Sequence, residues 1–174
     1  MKRAILIASL FLIAIPNVFA DAGHEMPVIK SSPEFEKLKS LVGTWKGTTT
    51  EMDGKVGDAT VEYQLTSGGS ALVETLFKGT PHEMVSVYHD TNGKLSMTHY
   101  CMLGNHPELA LKAVKNNAYE FDLKENSGID SAKEQHMHAL RLEMPDANTL
   151  VQKWQCWKDG KPGPSDTVIA LKRK

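Results

Sequence analysis

From Thr44 onward the chain alternates apolar and polar residues with a period of two, and turn residues interrupt the alternation every ten residues or so. Ala59, Val61, Tyr63 and Leu65 alternate with Thr60, Glu62, Gln64 and Thr66, and Tyr119, Phe121 and Leu123 alternate with Glu120, Asp122 and Lys124. Successive side chains of a strand point to opposite faces, so such a segment has one dry face and one wet face. Turn chemistry stands between the runs at Ser67–Ser70, Asp90–Gly93, Asn116-Asn117, Pro145–Asn148 and Lys158–Lys161. An Asn-Gly pair, here Asn92-Gly93, is the strongest short hairpin signal. The pattern predicts about ten short strands, starting near Thr44, Ala59, Ala71, Met84, Lys94, Leu109, Tyr119, Gln135, Leu150 and Val168. The expected fold is all-β: an antiparallel up-and-down barrel, with a sandwich as the other architecture of this pattern. Closing the sheet removes the exposed edges that would otherwise pair between molecules.

One segment before the strands has helical period. Pro33 to Leu41 places Phe35, Leu38 and Leu41 on one face, with Ser32 as cap, Pro33 at the first position and Gly43 as the stop. Further upstream, Lys2 and Arg3 precede an apolar run from Ala4 to Ile15, and Val18-Phe19-Ala20 follows. Charge, apolar core and small residue in that order predict a secretory signal peptide over 1–20, cleaved after Ala20, and a periplasmic or secreted mature chain. The run is too short for the ~20 residues of a membrane-spanning helix. No integral membrane segment is expected in the mature chain. Residues 21–32 are expected to form a loose leader, and 33–174 a single domain. Without Lys2 and Arg3 the chain keeps 18 basic against 21 acidic residues, a formal charge of −3. No basic stretch is interleaved with aromatics, which argues against nucleic acid as a partner. Cys101 and Cys156 each fall in an expected strand, and in an oxidising compartment a disulfide and two free buried thiols are both open.

The short helix running into Leu41-Val42-Gly43-Thr44-Trp45-Lys46-Gly47 resembles the opening of calycin barrels: lipocalins, fatty-acid-binding proteins and nitrobindins. There a Gly-x-Trp begins the first strand and the Trp plugs one barrel end. The chain is also similar to uncharacterised secreted bacterial proteins with a lipocalin-like domain, through Thr98-His99-Tyr100-Cys101, Gly104-Asn105, Pro107 and the Asp159–Pro162 hairpin. The resemblance covers roughly residues 33–172 and implies a ten-stranded calycin-like barrel without an assigned activity. For nitrobindins it would imply haem. Thr49, however, stands where their last glycine would be, and Ser165–Lys174 contains no histidine to serve as axial ligand. No cofactor is specified, and the oligomeric state is open.

Candidate chemistry rests on strand faces. His136 and His138 share a strand face with Leu140 and Leu142, and if that apolar face is the core face both histidines look into the barrel. His99 and Cys101 share a face with Leu95, Met97 and Leu103, and Trp154 and Cys156 share one with Leu150 and Gln152. His99, His136 and His138, with Cys101, could form a zinc or copper site. Buried histidines satisfied by hydrogen bonds are the commoner outcome of such spacing. His82, His89 and His106 fall at strand ends or in loops. No Gly-x-Ser-x-Gly elbow or paired-acid arrangement points to catalysis, and the chain reads as a non-enzyme more readily than as an enzyme. The leading expectation is binding of a small, partly apolar molecule inside the barrel. Its walls would be Trp45, Tyr63, Tyr88, His99, Cys101, Phe121, His138, Gln152 and Trp154. The alternatives are the metal site and a structural envelope domain whose core is filled by side chains.

Overall fold

The computed structural model of the protein describes residues 30–174. The expected signal peptide and most of the expected leader lie outside them. Helix α1, Pro33–Leu38, continues as a 3-10 turn over Lys39–Leu41. Ser32 caps it, its hydroxyl accepting from Phe35 N at 3.0 Å, and Ser32 Oγ in turn donates to Asp90 Oδ1 at 2.9 Å. The cap therefore also ties the helix to the sheet. Phe35, Leu38 and Leu41 are all buried against the core.

Eleven strands follow: β1 Gly43–Thr50, β2 Val56–Thr66, β3 Ala71–Leu76, β4 Met84–Thr91, β5 Lys94–Tyr100, β6 Glu108–Lys115, β7 Ala118–Leu123, β8 His136–Asp146, β9 Thr149–Lys158, β10 Lys161–Pro162 and β11 Thr167–Arg173. All pairings are antiparallel. Strands β1 to β9 pair in sequence, β11 joins β9 to β1, and the sheet closes on itself. The two-residue β10 is a short ribbon on β9, so the closed barrel has ten strands. The all-β barrel read from the alternation is the observed fold. Asn92-Gly93, Asn116-Asn117 and Asp159-Gly160 have positive φ at both residues, the backbone of tight two-residue hairpins. Strand β8 runs further than its sequence suggests, through Pro145 and Asp146, where a turn was expected. Among the described residues no helix is long and apolar enough to cross a membrane.

The two barrel ends differ. At the helix end Trp45 is buried, its Nε1 donates to Leu41 O at 2.8 Å, and the Arg173 guanidinium lies 4.2 Å above its ring. Arg173 also donates to Ser40 O at 2.6 Å and Val42 O at 2.9 Å, tying the last strand to the turn before β1. At the other end lie the β1–β2, β3–β4, β5–β6, β7–β8 and β9–β11 connections, called the loop end below.

Strand β1 comes unusually close to β11. A Cβ on Gly47 would lie 1.9 Å from the Ala170 carbonyl oxygen. That neighbour is backbone, so no rotamer change relieves the clash. Gly47→Ala is expected to lower unfolding free energy by about 2–4 kcal/mol, read as a lower urea midpoint with an unchanged slope.

Candidate functional site

The barrel interior is not uniformly apolar. Strand β3 alternates Leu72, Glu74 and Leu76 on its inner face, and all three are fully buried. Strand register sets Tyr63 opposite Glu74, Glu74 opposite Ser86, and Ser86 opposite His99, so β2 to β5 carry one transverse row of four polar side chains. Directly opposite inner-face residues sit only ~5 Å apart at Cβ, within reach of side-chain hydrogen bonds.

Glu74 is the hub. Its Oε1 accepts from the Tyr63 hydroxyl and from Gln152 Nε2, and its Oε2 accepts from the Tyr88 hydroxyl at 3.2 Å. Gln152 Nε2 also lies 2.8 Å from the Tyr63 oxygen, and Gln152 Oε1 accepts from Trp154 Nε1 at 2.8 Å. Burial raises the Glu74 pKa, and the Tyr63, Ser86, Gln152 and Tyr88 donors work against that rise. Burial, then the Glu74 charge, push both tyrosine hydroxyls well above their ordinary value. They act as hydrogen-bond donors and stay protonated.

Ser86 Oγ and His99 Nδ1 lie 3.0 Å apart, and the His99 ring packs on Trp154 with centroids 4.6 Å apart. Burial pushes His99 down to about 4, so the imidazole is neutral at neutral pH. Its second ring nitrogen, Nε2, is buried and has no protein partner. His99 forms one wall of an interior cavity of about 30 Å³ at the loop end, otherwise lined by Leu76, Phe77, Met84, Met137 and Ile169, with Trp154 and Thr167 completing it. Phe77 holds a positive φ of 53° where β3 gives way to the loop.

Of the residues expected to line the barrel, Tyr63, Tyr88, His99, Phe121, Gln152 and Trp154 are buried in its interior, and Trp45 plugs the helix end. Cys101 sits just past β5 at the loop end, with its amide donating to Asn105 O. Cys101 and Cys156 are both buried and unbridged. Glu74 and Ser86 were missed. Glu74 stands between Leu72 and Leu76 on β3, but a glutamate in a strand reads as a wet-face residue.

His138 is elsewhere. A bulge between Met137 and Ala139 inserts one residue into β8, and Met137 pairs with Cys156 while Ala139 pairs with Gln155. The inserted residue shifts the alternation by one. Leu140 and Leu142 therefore face the core, while His138 stacks on the outer face against Trp157, with centroids 3.7 Å apart and planes 11° apart. The expectation that both histidines of β8 look inward with Leu140 and Leu142 is thereby corrected. His99 lies inside the wall and His138 outside it, so the trio His99, His136 and His138 is not brought together. Among the described residues no group of three His, Cys, Asp or Glu side chains could hold a metal ion.

The outer histidines instead form a chain. Glu134 O can only accept, so His136 Nδ1 donates to it at 2.7 Å. His136 Nε2 and His138 Nδ1 lie 3.0 Å apart, and His138 Nε2 lies 3.4 Å from Asp122 Oδ1. Burial lowers the His138 pKa, Asp122 raises it, and His136 lowers it. A shallow outer groove of about 490 Å³ runs past His138, Trp157, Arg141 and Lys153. Arg141 is held by Glu120 and Glu143, and Lys153 by Glu143, so those cations are already paired.

No family model matches the chain, and no curated protein matches it. Among solved structures the chain is similar to a protein of unknown function from the DUF3598 family of Nostoc punctiforme. The TM-score is 0.55 at 14% identity, over 79% of this chain and 49% of that one. The chain thus spans about half the length of that neighbour, and the likeness is one of fold.

His99 should make the barrel acid-labile. Its folded pKa of about 4 lies below the ordinary 6.5, so the native state favours the neutral ring. That stability is complete above pH 6.5 and is lost as pH falls through 4. The gap corresponds to about 3 kcal/mol. Urea midpoints measured from pH 7 to 4 should fall more steeply for the native protein than for His99→Phe.

Proposed function

We propose that the protein is an exported, calycin-like binding protein that takes up a small, partly apolar molecule at the loop end of its barrel, against His99. The observation that carries this reading is an apolar cavity at the loop end lined in part by His99, whose Nε2 is buried without a protein partner. A buried nitrogen left unpaired costs about 1–3 kcal/mol, and an occupant that hydrogen-bonds to it removes that cost. The cavity's 30 Å³ is close to the volume one water takes in the liquid. A larger guest therefore enters only by moving lining side chains. Met84 and Met137 are the adaptable walls, because a thioether chain has three rotatable bonds and repacks cheaply. The fully satisfied Glu74 network forms the rigid floor beneath them. Export rests on the Lys2-Arg3 start, the apolar run and Ala20.

The test is a titration of the mature protein with six-carbon ring compounds, read by Trp154 emission against a Trp154→Phe control and by native mass spectrometry. One-to-one saturable binding is expected. Met84→Ala should tighten it by about tenfold by opening the cavity, and Ile169→Phe should abolish it while the protein stays folded. If neither the native protein nor Met84→Ala binds any of these compounds, the filled-core reading stands and this one fails.

A further inference from the structure

Two thiols stand outside both the Glu74 network and the histidine chain. Cys101 and Cys156 are free and buried. Strands β5 and β9 run in the same direction, because successive strands of the barrel alternate and both of these end at the loop end. On β5 the inner residues Leu95, Met97 and His99 follow one another toward that end, and Cys101 is next in the series. On β9 the inner series is Leu150, Gln152, Trp154 and Cys156.

The two series meet across the interior at His99 and Trp154, whose ring centroids lie 4.6 Å apart. Strands that run the same way stay in step. Two residues further along, about 7 Å nearer the rim, the facing pair is Cys101 and Cys156. Polar contacts at the rim join the same two residues. Cys101 N donates to Asn105 O at 3.0 Å, Asn105 Nδ2 donates to Gln135 O at 2.9 Å, and Gln135 Nε2 lies 3.6 Å from Cys156 Sγ. Burial raises the Cys101 thiol above its ordinary value, and the charge of Cys156 raises it further, as neighbours do.

A disulfide requires Cα atoms within about 7 Å of each other. Cys156 is fixed in the β8–β9 ladder opposite Met137. Cys101 belongs to no ladder. It lies past Tyr100, in a turn closed by Gly104 N donating to Cys101 O at 3.0 Å, where Gly104 has a φ of 85°. Any approach needed therefore comes from this turn and leaves the strand register alone.

We infer that Cys101 and Cys156 are one redox couple, which closes to a disulfide clasping β5 to β9 across the loop-end mouth of the barrel. The oxidant is an external disulfide. Cys101, the more exposed thiol at 9% against 3%, loses its proton and attacks one sulfur of that disulfide. The external S–S bond breaks, a mixed disulfide forms and one thiolate leaves. Cys156 then loses its proton and attacks the Cys101 sulfur, expelling the second thiolate. The protein gives up two electrons and two protons, and the external disulfide departs as two thiols.

The test uses the mature protein, fully reduced, desalted and incubated in its folded state with excess glutathione disulfide. It is then unfolded in urea with N-ethylmaleimide and weighed by mass spectrometry, with peptide mapping. The expected product has lost two hydrogens, carries no maleimide and yields a Cys101–Cys156 linked peptide. Its Tm should exceed that of the reduced protein by about 5–15 °C. Cys156→Ala should instead hold one glutathione on Cys101, because the thiol that resolves the mixed disulfide is gone. Two maleimide-labelled cysteines in the native protein, glutathione on both without an internal bridge, or a bridge between molecules overturns the couple and leaves the binding reading as it was.

Discussion

A carboxyl group buried in the middle of an apolar barrel constrains everything placed around it. Glu74 has no exposed surface and no cation beside it, so donors from neighbouring strands must replace its hydration. Those donors come from β2, β4 and β9, which places them on three sides of the interior. The network can form only if β2, β3 and β4 keep their register, because a slip of one residue in β3 would turn Glu74 to the outside and leave Tyr63, Tyr88 and Gln152 unpaired. Apolar contacts reward burial without naming a register, and this network names one. It also splits the interior: the helix end is closed by Trp45 under Arg173, and the loop end holds the cavity beside His99.

The two histidine systems show how little spacing says about environment. His136 and His138 sit two residues apart on one strand, and His99 sits on another, yet only His99 faces the interior. On the outer wall His136 and His138 form a line that starts at a backbone carbonyl and ends beside Asp122, with Trp157 covering one ring. Every nitrogen there meets a neighbour. Inside, Ser86 meets only one nitrogen of His99, and no residue reaches the other. The difference is between a chain of polar groups that ends at a half-exposed carboxylate and one that ends at a nitrogen no residue reaches.

Period-two alternation carried most of the fold. Tyr63, Leu72, Tyr88, Phe121, Leu140 and Trp154 are inward residues that the pattern alone identifies, and paired turn residues such as Asn92-Gly93 located the hairpins. The helix and its cap were equally legible, since Ser32, Pro33 and the Phe35–Leu38–Leu41 face are local signals. Two things were not. The bulge after Met137 leaves no mark in the residues around it, because one inserted residue changes the phase without changing the composition, and His138 was therefore assigned to the wrong face. Strand β8 also continues through Pro145: in the register its next recorded pair beyond Glu143–Val151 is Asp146–Thr149, so the proline falls in an irregular step of the ladder where its missing N–H is tolerated. Glu74 was lost for a different reason. A glutamate in a strand reads as a wet-face residue, and only the tyrosines and glutamine of other strands, brought near by the closed sheet, make its burial affordable.

The small cavity and the adaptable walls follow from one requirement. A rigid apolar pocket of guest size, standing empty, would forfeit the packing contacts of all its lining atoms. Methionine limits that loss, since Met84 and Met137 line the cavity and a thioether chain repacks at low cost. Among the described residues His99 Nε2 is one of three buried side-chain polar atoms without a protein partner, with Thr49 Oγ1 and Asn105 Oδ1. Ser86 Oγ lies 3.0 Å from His99 Nδ1, and the imidazole packs on the Trp154 ring. A side chain that could relax would have no reason to stay unpaired. The imidazole is held between Ser86 and Trp154, within strands whose register the Glu74 network fixes.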